Sequence, residues 1–267
     1  MTVDADRPLQ PLLNDRDIAL RAPTQVWSGA GGDLGGAAID GVYHGDVRHI
    51  RSAVLSCDES PIEWIGAARR GASRVTFWGL LRAIDDTMPD PRVRLVRERS
   101  VEAGVVRERV TLRNGRDVPV EATLRVLIRP DFASLHAVKA GAPAARGFEL
   151  RLADGRALAA SGAQRCTITP TAGAVRQRGD LVELTWRIQA DSHAQAEASW
   201  SVALADDSLV VRPADGSAPW DADAVAADYA EDAVVIADAN SATRPRLMRA
   251  PKRWTDAYAR AVGSAVP

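Results

Sequence analysis

The chain has little cysteine, no long apolar run and no excess of charge of either sign, and each absence excludes a class of protein. Its 267 residues contain two cysteines, Cys57 and Cys166, which are far apart and lack the CxxC spacing. A disulfide framework or a zinc site is therefore not expected. No apolar run approaches the ~20 residues that span a bilayer, and the polar N-terminus is unlike a signal peptide. We predict a cytoplasmic protein with no membrane partner.

The charge balance argues against a nucleic-acid partner. Lys and Arg together number 34 against 35 Asp and Glu, for a formal net charge of −1. Binding to nucleic acid requires a net or clustered positive field. Many arginines alternate with apolar residues on strand-like runs, and we interpret them as solvated strand faces.

Motifs of enzyme chemistry are also missing. There is no Gly-x-Ser-x-Gly elbow, and no two carboxylates are placed by the sequence as the acid and base of a glycosidase. His44 and His49 are the only neighbouring histidines, and their spacing places them on one face of neither a helix nor a strand. The loop 29–36 is rich in glycine but lacks the Gly-Lys-Ser/Thr ending of a phosphate-binding loop. We predict no catalytic residue, no metal and no cofactor, and a solvent-exposed loop at 29–36.

Alternation of apolar and polar residues dominates the middle of the chain. It is clearest over 118–128, 182–188 and 196–204, and it predicts half-buried strands. The last two runs flank residues 191–194 and predict a hairpin. Hairpin turns are also predicted at Asn114-Gly115, Asp154-Gly155 and Gly179-Asp180. Many short strands with frequent turns favour an all-β fold, an antiparallel β-sandwich.

The pattern changes near the C-terminus. From about Trp220 the spacing becomes helical, 238–245 is polar like a linker, and 251–262 has an apolar stripe that includes Trp254 and Tyr258. We therefore predict short C-terminal helices. The expected domains are a sandwich over 1–235 and a linker with a helix over 236–267.

Residues 41–52 hold the strongest candidates for a binding site. Asp46 and Arg48 are two apart, so in an extended segment both point the same way. Tyr43 and His44 add an aromatic and polar surface that could contact a sugar, and Trp27, beside the glycine-rich loop, is a candidate exposed stacking ring. The alternative is an Asp46–Arg48 ion pair that holds this segment to the sheet or to a neighbouring domain. A second charged group, Glu98, Arg99, Glu108 and Arg109, is interpreted as a cross-strand ladder of opposite charges.

Several of these segments together resemble the N-terminal domain of glycogen-debranching, amylo-α-1,6-glucosidase-like proteins. The family carries an Arg-Asp-Thr-Arg core, of which Asp46 and Arg48 are present here, while Gly45 and Val47 replace the other two residues. The segments 95–101 and 106–114 resemble the family's central hairpin. The segment 130–138 resembles the stretch that follows it.

The resemblance implies a supersandwich-like domain that precedes an (α/α)₆ barrel, and in this family the barrel carries the residues that hydrolyse α-1,6 branches. The helix at 251–262 would then begin that barrel or be a remnant without a partner, and the chain alone is expected to be inactive. The implied role is a non-catalytic domain that supports the barrel, in cis or in trans, and contacts α-glucan through Trp27, Tyr43, His44, Asp46 and Arg48. Alternatives are a stand-alone α-glucan-binding module or a docking domain for a separate helical catalytic subunit.

Overall fold

The computed structural model describes residues 15–87, 89–141 and 147–209, and two further strands at 233–236 and 248–251. The chain forms two compact units, Met1–Pro213 and Ala214–Pro267. In chain order the strands are β1 (Asp17–Arg21), β2 (Thr24–Ser28), β3 (Gly41–His44), β4 (Val47–Cys57), β5 (Glu63–Arg70), β6 (Arg74–Leu80), β7 (Val93–Glu102), β8 (Val105–Asn114), β9 (Val120–Ser134), β10 (Glu149–Ala153), β11 (Arg156–Ser161), β12 (Gln164–Thr171), β13 (Ala174–Arg178), β14 (Leu181–Ala190), β15 (Gln195–Asp206), β16 (Ala233–Ile236) and β17 (Met248–Pro251). A 3₁₀ turn covers Arg82–Ile84, and a five-residue helix α1 covers Leu135–Lys139.

The first unit is an antiparallel β-sandwich, which confirms the predicted fold class. One sheet has seven strands in the order β1-β2-β3-β4-β9-β14-β13, and the other has eight in the order β10-β11-β12-β15-β8-β7-β6-β5. Each sheet has one apolar face, and these faces cover each other. Along β9, Val120, Ala122, Leu124, Val126 and Ile128 are buried, as the alternation predicts. Each such Val, Leu or Ile side chain contributes roughly 1.5–3 kcal/mol by leaving water.

Two of the predicted hairpins are wrong, because their turns cross between the sheets. The run 191–194 joins β14 in the first sheet to β15 in the second, and Asn114-Gly115 leads from β8 in the second sheet to β9 in the first. Two consecutive strands show the same alternation of apolar and polar residues whether they pair in one sheet or lie in opposite sheets. The sequence pattern therefore does not distinguish a hairpin from a crossover between the sheets. Asn114 ties the two crossovers together, since its side-chain amide donates to the carbonyls of Val118, Ala190 and Asp191 at 2.8–3.1 Å.

The remaining turn predictions are confirmed. Asp154-Gly155 closes the β10–β11 hairpin, and Gly179-Asp180 closes the β13–β14 hairpin. The segments that resemble the family's central hairpin do pair, as β7 with β8.

In the second unit β16 and β17 pair antiparallel. The helices predicted after Trp220 and over 251–262 lie outside the described residues, apart from Pro251, which ends β17. The boundary predicted after residue 235 falls within β16 and stays a prediction. No helix in the described part of the chain is long and apolar enough to cross a membrane.

Candidate functional site

Arg48, a predicted site residue, is buried in an internal ion pair. Its side chain is 2% exposed. Its Nε and Nη2 both contact Asp131 Oδ2, at 2.7 and 2.6 Å, and its Nη1 donates to the Ala38 carbonyl at 2.6 Å. The alternative, an Asp46–Arg48 ion pair, is wrong, because Arg48 pairs with Asp131 and Asp46 lies in the β3–β4 turn instead of on a strand. Asp46 is exposed, and its backbone carbonyl accepts from the Leu135 amide at 2.7 Å.

Tyr43 and Trp27 lie together in a small buried cluster with Ile39, Ala133 and Val138. The Tyr43 hydroxyl donates to the Ile39 carbonyl at 2.7 Å, and burial raises the pKa of Tyr43 to about 12. Trp27 is 9% exposed, its ring centroid lies 6.1 Å from that of Tyr43, and its Nε1 donates to Gln25 at 3.0 Å. The prediction that Trp27 is exposed is therefore wrong. A role for these residues in sugar binding stays a prediction, and in this structure their contacts are internal.

His44 and His49 lie with their ring centroids 5.9 Å apart, packed edge to face. His44 Nδ1 is 2.9 Å from Thr24 Oγ1, and burial lowers the pKa of His44. His49 is fully buried, and within the described residues neither of its ring nitrogens has a hydrogen-bond partner. Burial lowers the pKa of His49 to about 3, so this ring is neutral at physiological pH. It packs against Phe132, which has a left-handed φ of 61°.

A second polar group, the buried arginine cluster, comprises Asp33, Arg97, Arg99 and Glu108 inside the sandwich. Arg97 Nε donates to Glu108 Oε2 at 2.8 Å, and Arg99 Nε and Nη2 donate to Glu108 Oε1 at 2.7 and 2.6 Å. Arg97 also contacts Asp33 at 2.6 Å. Burial opposes ionisation of Glu108, but the two guanidinium groups outweigh it and hold its pKa below the ordinary value.

The glycine-rich loop closes over this cluster with Gly31, Gly32 and Leu34, which are buried. Ala30, Gly35 and Gly36 are exposed, so the predicted solvent-exposed loop is correct only in part. The Gly31 and Gly32 carbonyls accept hydrogen bonds from Arg97 and Arg99. A Cβ on Gly31 would overlap the indole of Trp64, and a Cβ on Gly32, whose φ is +81°, would lie 2.7 Å from Phe77. Glycine is therefore required for the loop to approach the arginines.

The predicted cross-strand charge ladder is confirmed, since Glu98 pairs with Arg109 and Arg99 pairs with Glu108. The two pairs, however, lie on opposite faces of the second sheet. Glu98 and Arg109 are exposed and lie 3.8 Å apart on the outer face of the second sheet. Arg99 and Glu108 face the core instead. The inward orientation of Arg99 could have been predicted from the alternation along β7. Side chains at every second residue share a face, so Arg97 and Arg99 lie on the same face as the buried Val93 and Leu95.

The outer face of the second sheet carries a cavity of about 590 Å³, which we call the outer groove. Cross-strand pairing builds it in rows, one of which runs from Arg74 through Ser100 and Arg107 to Ser201. The neighbouring row runs from Thr76 through Glu98 and Arg109 to Ser199. From the sequence alone, the prediction for this face is an ordinary solvated strand surface, because rows across a sheet cannot be recognised before the strand order is known.

Charges in the outer groove are unevenly paired. Arg107 contacts Glu102 at 2.6 Å, and Arg109 lies 3.8 Å from Glu98. Arg70 and Arg74 also line the groove, and no carboxylate of the described residues lies within 4.0 Å of either. They are direct cross-strand partners, so two like charges face each other. Of the outward-facing residues that line the groove, four are arginines (Arg70, Arg74, Arg107 and Arg109) and two are glutamates (Glu98 and Glu102), an excess of two positive charges.

The family of the chain follows from its sequence match. Residues 20–207 match the N-terminal domain of some glycogen debranching enzymes. The chain belongs to this family. The match to the debranching-enzyme N-terminal domain starts within β1 and ends next to the last residue of β15, so it spans the sandwich. No curated protein sequence matches the chain.

Among solved structures, a galactose mutarotase-like protein from Lactobacillus casei ATCC 334 aligns with a TM-score of 0.48 and 7% identity, over 71% of this chain and 99% of that chain. A protein from Synechocystis sp. PCC 6803 aligns with a TM-score of 0.46 and 10% identity, over 78% of this chain and 99% of that one. A heparan sulfate lyase from Pedobacter heparinus aligns with a TM-score of 0.37 and 7% identity, over 74% of this chain and 30% of that one.

Proposed function

We propose that this chain is the non-catalytic β-sandwich domain of a glycogen-debranching-type glycoside hydrolase and supports a helical catalytic domain. The observation that carries the proposal is the agreement between the family match, residues 20–207, and the sandwich, whose strands run from Asp17 to Asp206. The catalytic domain would follow in the same polypeptide or be supplied by a separate one. The cytoplasmic location belongs to the same proposal.

Internal contacts of the predicted site residues support a structural role for most of them. The Tyr43 hydroxyl donates to the Ile39 carbonyl, and the Arg48 guanidinium donates to Asp131. A sugar could not reach these groups without opening the cluster, at a cost of roughly 1–3 kcal/mol for each buried polar group left unpaired. We therefore assign them to holding the 37–48 segment on the sheet.

Asp46 is the best candidate among them for a contact outside the sandwich. It is exposed, and it follows Gly45, against which the side chain of Leu209 packs. The chain thus leaves the last strand of the sandwich beside the turn that presents Asp46. We propose that Asp46 contacts the helical domain.

The first test is the intact mass of the native protein in its source cell, detected with an antibody against this chain. A mass far above 28.5 kDa would support a catalytic domain in the same polypeptide. A mass near this value, with a helical glycosidase recovered alongside it, would support a separate subunit. Hydrolysis of a branched dextrin by the purified 267-residue chain, abolished by a point mutation within it, would overturn the non-catalytic assignment.

A stand-alone α-glucan-binding module is the second candidate, and the outer groove favours it. Its hydroxyl and charged side chains could hydrogen-bond to sugar hydroxyls. This candidate predicts retarded migration of the chain in a gel that contains glycogen. Migration equal to that in a glycogen-free gel would count against it.

A further inference from the structure

The outer groove contains a pair of arginines that have no counter-charge within 4.0 Å among the residues that the structure describes. Arg70 and Arg74 face each other across the end of the β5–β6 hairpin. Side chains in this position have Cβ atoms ~4.5–5.5 Å apart, and like charges there are destabilising. By contrast, Arg107 and Arg109 each lie within 4.0 Å of a glutamate.

Two adjacent guanidinium groups match the charge and shape of a phosphate monoester. Such a group carries about −1.5 to −2 charge at pH 7 and has three acceptor oxygens, while a carboxylate carries a single charge. Each guanidinium presents a planar fork of donors that can engage two oxygens. Bound phosphate would also remove the repulsion between Arg70 and Arg74.

Beyond the arginine pair, the groove presents groups that suit a polyhydroxylated molecule. Ser100 lies next to Arg74 in its cross-strand row, and Ser199 and Ser201 lie further along the groove. Glu98 and Glu102 add carboxylates that accept hydrogen bonds. The lining has both donors and acceptors, as recognition of sugar hydroxyls requires.

Size and the absence of an aromatic platform narrow the ligand class. About 590 Å³ lies within the range of ~300–1,000 Å³ that is common for small-molecule sites. The one aromatic residue among the described lining residues, Trp200, is 3% exposed. A nucleotide base, which is usually held by stacking on an exposed ring, therefore has no platform here.

We propose that the outer groove binds a phosphorylated sugar, with the phosphate between Arg70 and Arg74 and the sugar hydroxyls toward Ser100, which neighbours Arg74 on the next strand. The proposal uses only the groove, so it does not depend on the debranching role.

The experiment is isothermal titration calorimetry of the full chain with glucose 6-phosphate, inorganic phosphate and maltotriose. We expect saturable binding of glucose 6-phosphate that weakens with added salt, because exposed charges are screened. Arg74→Gln and Arg70→Gln should each weaken it by at least about tenfold, since each removes charge-assisted hydrogen bonds. Ser100→Ala should weaken binding of glucose 6-phosphate but not of inorganic phosphate.

Arg113→Gln is the matched control, because Arg113 is exposed on the same strand as Arg107 but does not line the groove. It should bind glucose 6-phosphate like wild type. All these changes are at the surface, so the melting temperature of each variant should stay near that of wild type.

Three outcomes would overturn the proposal. One is no heat of binding with millimolar glucose 6-phosphate. Another is binding of maltotriose as tight as that of glucose 6-phosphate and insensitive to Arg74→Gln, which would indicate a neutral-glucan site. The last is equal affinity for inorganic phosphate and glucose 6-phosphate with no effect of Ser100→Ala, which would indicate a simple anion site.

Discussion

Replacing Glu108 with glutamine tests whether the buried arginine cluster holds the sandwich together. The change keeps the shape of the side chain and removes its negative charge. In the native protein the carboxylate accepts three hydrogen bonds of 2.6–2.8 Å from Arg97 and Arg99. Arg97 would keep Asp33, but Arg99, which is 2% exposed, has no other carboxylate within 4.0 Å in the described part of the chain.

Removing one partner of a buried ion pair typically costs ~3–5 kcal/mol, because the other charge is left buried without compensation. We expect Glu108→Gln to lower the free energy of unfolding by this amount. Domains are stable by only ~5–15 kcal/mol, so the loss should be large. For a domain of this size it corresponds to a fall in melting temperature of roughly 6–20 °C.

Urea unfolding followed by tryptophan fluorescence at pH 7 measures the effect. Glu98→Gln is the control, since Glu98 lies on the neighbouring outward position, 47% exposed, and 3.8 Å from Arg109. Exposed pairs of this kind are worth about 0–1 kcal/mol. If Glu108→Gln unfolds within about 1 kcal/mol of wild type, with an unchanged urea dependence, the cluster does not stabilise the fold as we infer.

The pH dependence gives an independent check. The pKa of Glu108 is lower in the folded protein than its ordinary value of 4.5. Its contribution to stability is therefore fully present above pH ~4.5 and is lost as the pH falls through the folded-state pKa. We expect the difference in stability between wild type and Glu108→Gln to shrink on acidification below pH ~4.5. A difference that stays constant down to pH 2 would show that the charge of Glu108 is not responsible.

Three further predictions concern other buried groups. Arg48→Met should lower the free energy of unfolding in urea by ~3–5 kcal/mol, because it leaves the buried carboxylate of Asp131 unpaired. Asp46→Asn, at an exposed position, should change it by less than about 0.5 kcal/mol. Equal effects of the two changes would contradict the internal role of Arg48. Gly31→Ala should lower the free energy of unfolding by ~1–3 kcal/mol, because the added Cβ overlaps the indole ring of Trp64. Gly66→Ala is the control, since its added Cβ meets nothing within 4 Å, and it should be as stable as wild type. Thermal melts compare the two variants. Both cysteines are buried, and burial raises the pKa of each thiol to about 12. A thiol reagent at pH 8 should therefore label them only after denaturation. Rapid labelling of the native protein would contradict the structure.

Residues of the candidate sites could be predicted where the sequence pattern that marks them lies within a few positions of the chain. Their contacts with distant residues could not. The pattern of residues 41–52 is enough to predict that Tyr43 and Arg48 are important, and the structure gives both of them defined polar partners. Those partners, Asp131 and the carbonyls of the 37–40 segment, lie elsewhere in the chain or in a loop. Burial is set by such distant contacts, and therefore exposure was predicted wrongly for Trp27.

The outer groove shows the same limit on a larger scale. Each of its rows combines residues from four strands whose order is β6-β7-β8-β15. Alternation places Ser201 on the outer side of its strand but does not say which strand is its neighbour. A row of side chains is therefore a property of the sheet and of no single segment.

The sequence by itself determined the strands, the all-β class, the family and several tight turns, because period-two burial and turn geometry depend on residues a few positions apart. Only the tertiary structure decided that the Asn114-Gly115 turn crosses between the sheets, that Arg48 pairs with Asp131, and that Arg97, Arg99 and Glu108 meet inside the core. The physical reason is that hydrogen bonding between strands and burial between sheets are satisfied by residues far apart in the chain.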